Sequence, residues 1–351
     1  MIATPALPRP RTRFVVPRGL EAALPPEQRG IARDDVRLLV AGPAGVSHHR
    51  FHDLPDLLEA GDLVVVNTSA TVPAALSADR EDGRPARLHV SGWHDAAHWI
   101  VEVRDADNRG PDLNLAAGAV LRLAGGLALT LTGPHPASAP APSRLWMASA
   151  TPPTEPVAYL GEHGRPIAYG HLAEDLPLSA HQTVYAEQPG SAEMASAGRP
   201  FTADLLMRLM AAGITVAPLT LHAGVSSAEF HEPPAPERYS VPASTARLVA
   251  DTRRSGGRVV AVGTTVVRAL ETVGAADDVR AGEGWTDLVL GPDRPAAVVG
   301  GLVTGLHLPE SSHLLLLEAV AGPGLVADAY AAALDRAYLW HEFGDSMLFL
   351  P

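Results

Sequence analysis

Between residues 86 and 132 the apolar pattern shortens to a period of two, whereas beyond about 200 it lengthens to helical spacing, so no single-class fold suits the whole chain. Arg87-Leu88-His89-Val90 and Trp99-Ile100-Val101-Glu102-Val103 read as strands, as do 119–123 and 127–131, with Gly, Asp and Asn between them. Such short antiparallel strands predict a small β-barrel or sandwich over about 77–152. Its charged side chains should alternate outward, as Glu102 does between Val101 and Val103. Prolines at 134, 136, 140, 142, 152, 153 and 156 bracket a further strand and mark the return to the rest of the chain. With 351 residues, 32 Pro and 32 Gly, a two-domain protein is expected and a helical bundle is disfavoured.

The flanking regions read differently. Residues 1–13 hold three prolines and predict an extended arm, with ordered structure from Phe14. A short helix over 55–60 and a turn at Gly61-Asp62 lead into an apolar strand over 63–66, whose exit carries Asn67, Thr68 and Ser69. Thr202 can cap a helix with Leu205, Leu206, Leu209 and Met210 on one face; Gly213 ends it before a strand over 214–219. A helix opening at Ser244 or Thr245 precedes a strand over 258–262, a turn at Gly263-Thr264-Thr265 and a helix over 266–273. Helices over 311–321 and 325–338 and a strand over 347–350 complete the pattern. The predicted fold class is mixed α/β, or α+β: a large mixed-sheet domain, 14–76 and 153–351, with the small antiparallel β-barrel of 77–152 inserted. In the strand, small-residue turn, helix unit, either threonine hydroxyl can cap the helix while amides around 265–267 point out of the strand end toward a carboxylate or ribose oxygen.

Composition narrows the chemistry. A net charge of -12, from 39 acidic against 27 basic residues, repels phosphate backbones, so a nucleic-acid partner would need a local basic patch. Arg9, Arg11 and Arg13 with Arg247, Arg253, Arg254 and Arg258 are the groups that could supply one. Cysteine is absent, which excludes disulfides, thiolate metal sites and cysteine nucleophiles. No apolar run reaches about 18 residues and the start lacks a signal-like core, so a cytoplasmic protein without a membrane span is expected. Phosphate-loop, GxGxxG and HExxH motifs are missing. Fifteen histidines include His48, His49 and His52 close together, but with no acidic ligand at fixed spacing no metal site is expected.

Polar groups gather at strand ends in 62-DLVVVNTSATVPAAL-76, 182-QTVYAEQPGSAEMASAGRPF-201, 258-RVVAVGTTVVRALE-271 and 304-TGLHLPESSHLLLLEAVAG-322, with 338-YLWHEFGDSM-347 near the end. These five segments, in order over about 290 residues, resemble the S-adenosylmethionine:tRNA ribosyltransferase-isomerase family of queuosine biosynthesis. The resemblance implies a mixed α/β domain with an inserted β-barrel and no permanently bound cofactor. It implies ribosyl transfer and isomerisation from S-adenosylmethionine onto a 7-deazaguanine in tRNA, forming epoxyqueuosine and releasing adenine and methionine. Such chemistry needs a base for the C5′ proton beside the sulfonium and a donor for departing adenine. Asp345, Glu310 and Glu187, acids in the matched segments, are the catalytic candidates. Asn67, Thr68, Gly263, Thr264, Thr265, Arg268 and His307 are the candidates for S-adenosylmethionine binding, and Tyr185, His222 and Ser196 for the substrate.

Departures from the family pattern cluster in the same segments. Ala70 and Ala75 stand where the family usually has arginines, Pro200 where it has a histidine, and Thr304-Gly305 where it has Thr-Asn. The family's LHVGxGTF becomes 221-LHAGVSSAEF-230, and 233-PPAPERYSV-241 holds no histidine. Alanine replaces neither bidentate donor, and proline cannot move a proton. A related enzyme with a different, small-molecule acceptor and a non-catalytic nucleoside-binding protein are the alternatives these changes raise. The chain is expected to be a monomer or homodimer.

Overall fold

The computed structural model describes residues 8–139, 142–226, 233–275 and 278–351; residues 1–7 of the arm, Pro140 and 227–230 of the LHAGVSSAEF segment lie outside them. Among the described residues, nine strands form one mixed sheet. Their order is Gly282–Thr286, Glu237–Val241, Thr215–Leu221, Leu63–Asn67, Val259–Val262, Gly301–Gly305, Ser346–Phe349, Arg37–Gly42 and Gly45–Arg50. Thr215–Leu221, Leu63–Asn67, Val259–Val262 and Gly301–Gly305 run parallel at the centre. Every residue of Leu63–Asn67 and of Val259–Val262 is buried, the pattern of strands covered on both faces.

The period of two divides those strands between two cores. Leu63, Val65, Val259 and Ala261 pack with Val249, Val266, Leu270, Leu314 and Leu317. Val64, Val66, Val260 and Val262 pack with Phe51, Leu54, Phe201, Leu205 and Leu209 on the opposite face. Helices Ala243–Arg254, Thr264–Val273 and Ser312–Ala321 thus cover one face and Ala203–Ala211 the other. Among the described residues no single helix is long and apolar enough to cross a membrane; the pair Ser312–Ala321 and Pro323–Asp335 is bent by 117° and contributes Leu314, Leu317, Val326 and Ala329 to the core.

The chain leaves the sheet after Asn67 and forms a closed six-stranded barrel in the order Leu145–Thr151, His98–Arg104, Pro85–Asp95, Ala75–Arg80, Val120–Arg122 and Ala128–Pro134. Leu88, Trp99, Val101, Val103, Leu129 and Leu131 fill it. The expected fold class is the one observed, with the barrel rather than a sandwich. Closure satisfies the strand edges that a short sandwich would expose.

Several local expectations are corrected. Glu102 does alternate out of the barrel core, but it is only 1% exposed, because Arg104 and Arg144 close over its carboxylate. An apolar-polar period therefore reported the barrel interior and not the solvent. The helix after the 263–265 turn begins at Thr264 with Gly263 as its N-cap and no side-chain cap, so neither threonine hydroxyl caps it. The amides of Val266 and Val267 turn back to the Gly263 carbonyl at 3.2 and 3.4 Å rather than out of the strand end. Helix Ala243–Arg254 likewise lacks a side-chain cap; Thr245 Oγ1 donates instead to the Pro218 carbonyl at 2.6 Å. The last helix ends at Asp335, three residues early, where Ala337 takes a φ of 49°. Order begins before Phe14: the amides of Arg11 and Thr12 donate to the buried Glu318 carboxylate at 3.0 and 2.6 Å.

Candidate functional site

In an open sheet with parallel central strands, ligands are received at the carboxyl ends of those strands, where helix starts and loops diverge. Here that edge carries Asn67, His222 just past Leu221, Gly263 just past Val262, and Gly305. Ser346 pairs with Gly305 on one side and Leu38 on the other, which brings Asp345 and Arg37 to the same edge.

Asn67 is a staple across this edge. Its Nδ2 donates to the Leu221 carbonyl at 2.8 Å and to Thr265 Oγ1 at 3.3 Å, while its Oδ1 accepts from the amides of Ser69 and Leu221, both at 3.0 Å. The amide thus joins two strand ends to the 263–265 turn. Thr68 adds to the join: its amide donates to Leu219 O at 2.8 Å, and its carbonyl accepts from the amides of Glu187 and Gln188 at 2.9 and 3.0 Å. Gly263, at φ 91° and ψ 156°, donates to Val303 O at 2.8 Å and lies against Ala197, so the Ser196–Gly198 turn packs beside it.

Beside the staple runs a polar relay. His222 Nδ1 lies 2.8 Å from Ser69 Oγ, which lies 2.6 Å from Ser191 Oγ; the latter accepts from the Ala223 amide at 2.9 Å. Burial and the Arg238 charge hold the His222 pKa down to about 4, so this imidazole is neutral near pH 7. His222 faces a cleft of about 610 Å³ between barrel and sheet, with Ser91, Trp93, His135, Arg238 and Trp285 around it. A second cleft, of about 290 Å³, is lined by Ser196, Pro200, Gly305, His341, Asp345 and Ser346.

Asp345 is 5% exposed and saturated: it accepts from the Arg37 amide and Nε at 2.9 Å, from Arg37 Nη2 at 2.6 Å and from the Leu339 amide at 2.8 Å. That is the arrangement of an anchor. Glu310, at φ 63°, pairs with Arg13 at 2.8 Å on the surface, and Glu187 is exposed, so the three candidate acids do not converge. Arg268 is 6% exposed and not solvent-facing; it donates to the carbonyls of Thr286 and Leu288 and to the Glu237 carboxylate. It therefore supports the wall of the larger cleft from behind. His307 Nε2 is 2.9 Å from Thr304 Oγ1, and its ring stacks on His313 at 4.7 Å; burial first, then His313 and His341, press its pKa well down. Tyr185 reaches Gly198 O at 3.4 Å and packs on Phe201, with its phenol pKa raised by burial.

A family model described as queuosine biosynthesis protein matches residues 11–349. Similar curated proteins, each called S-adenosylmethionine:tRNA ribosyltransferase-isomerase, include one from Thermus thermophilus, 36% identical over 95% of this chain and 99% of its own length. Another, from Synechococcus elongatus, is 34% identical over 91% and 90%. This chain belongs to that queuosine-biosynthesis family. Its fold is similar to the crystal structure of an S-adenosylmethionine tRNA ribosyltransferase from Thermotoga maritima, with a TM-score of 0.54 and 29% identity over 96% of this chain and 99% of that one.

Within this family member some departures lie at the site, while Ala75 lies in the barrel strand Ala75–Arg80. Ala70 lies in Ser69–Thr71, paired with Gln188–Ser191. Pro200 lines the smaller cleft. Two charged groups with unusual surroundings escaped sequence reasoning. Glu193 accepts from Ser226 N at 3.0 Å and Oγ at 2.6 Å, yet burial, with Glu342 and Glu102 nearby, pushes its pKa up to about 7. Arg199, 3% exposed, pairs with Glu27 at 3.0 Å and lies 4.8 Å over the Phe343 ring. No spacing signals either one, because their partners lie on distant segments.

Proposed function

We propose that this chain is an S-adenosylmethionine-dependent transferase and isomerase that moves the ribosyl group onto a 7-deazaguanine in tRNA, yielding epoxyqueuosine, adenine and methionine. The observation that carries this reading is the meeting of the family's separate segments at one sheet edge: Asn67 bonds both Leu221 and Thr265, and Gly263 lies against Ala197. S-adenosylmethionine is the ribosyl donor and no cofactor is held permanently. Thr265, Gly263 and Ser196 form its wall, with Asn67 and Thr68 fixing the strand ends behind them. His222, Ser69 and Ser191 serve the acceptor side, where Trp93 and Trp285 offer aromatic faces to a base.

Asp345 acts as a positioning residue. The barrel, 77–152, is an inserted unit on the discontinuous domain of 14–76 and 153–351, and the protein works in the cytoplasm on tRNA. The test is incubation with S-adenosylmethionine, with and without tRNA carrying the precursor base, following adenine and methionine by mass spectrometry. Release that requires tRNA is expected. Equal release without tRNA, or none with it, would overturn the proposal.

A further inference from the structure

Residues 222–226 leave the central strand Thr215–Leu221 without forming regular structure, yet their backbone is bonded residue by residue. The amides of Ala223, Gly224, Val225 and Ser226 donate in turn to Ser191 Oγ at 2.9 Å, Glu237 Oε1 at 3.0 Å, Ser91 Oγ at 2.9 Å and Glu193 Oε1 at 3.0 Å. Backbone groups taken from water need partners, and here side chains from three distant stretches supply all four, which ties the segment's position to theirs. Two of its ties reach the barrel. Ser91 belongs to Pro85–Asp95, and Arg144 donates from Nη1 and Nη2 to the Val225 carbonyl at 3.4 and 3.3 Å. The Val225 side chain joins the barrel core, and a Cβ on Gly224 would stand only 2.6 Å from Ser91 Oγ. Arg144 is itself fixed by the buried Glu102 carboxylate, which Arg104 also engages.

We propose that Arg144, braced by Glu102, is a positioning residue that clasps the barrel onto residues 222–226 and so sets the spacing of the two walls of the larger cleft. The proposal rests on the reading of that cleft as the acceptor side. The barrel supplies Trp93 to it and the sheet supplies His222 and Trp285, while Ser91 and Glu237 both line the cleft and hold the segment. His222 opens the segment, with its amide on the Arg238 carbonyl at 2.9 Å. A shift of the barrel against 222–226 therefore moves Trp93 relative to His222 and Trp285. A base gripped between walls from two units is sensitive to such a shift, since a misplacement of about 1 Å can cost about 100-fold in rate. Arginine suits the task because its planar fork engages Glu102 and the Val225 carbonyl together, whereas a lysine ammonium is a point charge. The donor wall at Gly263 and Thr265 is held by Asn67, so loosening the clasp acts on the acceptor.

Arg144→Lys and Arg144→Met in the full-length chain are compared with the parent in two ways. Steady-state kinetics follow adenine release with S-adenosylmethionine and tRNA carrying the precursor base, and hydrogen exchange is read by mass spectrometry over 222–226. Arg144→Lys keeps the charge beside Glu102 and loses the fork, so it should hold the parent's thermal midpoint and still raise KM for tRNA at least about fivefold. Arg144→Met should raise it at least about tenfold, with KM for S-adenosylmethionine within about twofold of the parent's. Exchange over 222–226 should quicken at least about tenfold in both. Leu121→Ala, which cuts into the barrel core, should lower the midpoint and leave KM for tRNA in place. A parent KM for tRNA in folded Arg144→Lys, or equal rises in both KM values, would leave Arg144 a merely structural residue and overturn the proposal. Unchanged exchange over 222–226 would overturn it too. A parent chain without tRNA-dependent release would instead end the proposed function, and exchange in the same variants still decides whether Arg144 holds the segment.

Discussion

Asp345 shows how a side chain's partners decide its role. With both oxygens engaged by Arg37 and two backbone amides, its contribution is to hold the start of Arg37–Gly42 against the cleft. Asp345→Asn removes the charge from those bonds, and a loss of about 2 to 3 kcal/mol in unfolding free energy is expected by urea denaturation. Thr265 has the opposite character. Since Gly263 caps the helix, Thr265→Ala should leave the thermal midpoint nearly unchanged while weakening S-adenosylmethionine binding by about 1 to 2 kcal/mol in calorimetry. If stability falls and affinity does not, the hydroxyl serves the Asn67 staple alone. Glu193 brings a pH signature. Its folded pKa of about 7 lies above the ordinary 4.5, so between those values the unfolded chain has released the proton and the folded chain has kept it. This group's contribution therefore decreases as pH rises from about 4.5 to 7 and is level above that. Glu193→Gln should flatten the parent's decline in midpoint over that window; parallel curves would assign the pH dependence to other groups.

At the scale of elements, the turn at Gly263 joins a fully buried strand to a helix through a backbone conformation that side chains rarely adopt. A Cβ there would meet Ala197 at 3.4 Å, an ordinary contact, so backbone strain dominates the cost of Gly263→Ala. A loss of about 1 to 3 kcal/mol in urea is expected, with weaker S-adenosylmethionine binding because Ala197 and Thr265 share the wall. This turn was legible in the sequence, since an apolar strand running into glycine and then helical spacing admits few alternatives. So was the barrel, whose strands Leu88 to Leu131 alternate toward one filled interior. What escaped was whatever depends on distant segments meeting. The outward face of Glu102 is covered by Arg144, the charge of Arg268 is spent on Glu237, and His171 reaches His341 only through folding. Local pattern reports which face a residue takes; it is silent on what later covers that face.

Over the whole molecule, charge sets the terms on which a polyanion can bind. The arginine groups that promised a basic patch are largely spent: Arg11 pairs with Asp293, Arg13 with Glu310, Arg254 with Asp251, and Arg258 with Asp62 and Glu59. The formal net charge is -12. On the proposed reading, tRNA binding rests on few phosphate contacts and draws the rest of its free energy from a base held in the cleft around Trp93 and Trp285. Each phosphate neutralised releases condensed counterions, so the number of contacts is read from the slope of affinity against salt. Six to ten contacts would cost roughly 10³ to 10⁵ in affinity between 50 and 200 mM salt. For this chain the expected loss over that interval is below about 10³, measured by filter binding with tRNA carrying the precursor base. Trp285→Ala should lower affinity without altering the slope, because it removes stacking and no charge. A steeper slope would mean that a concentrated basic groove forms despite the acidic surface, and an unaffected Trp285→Ala variant would place the base outside this cleft.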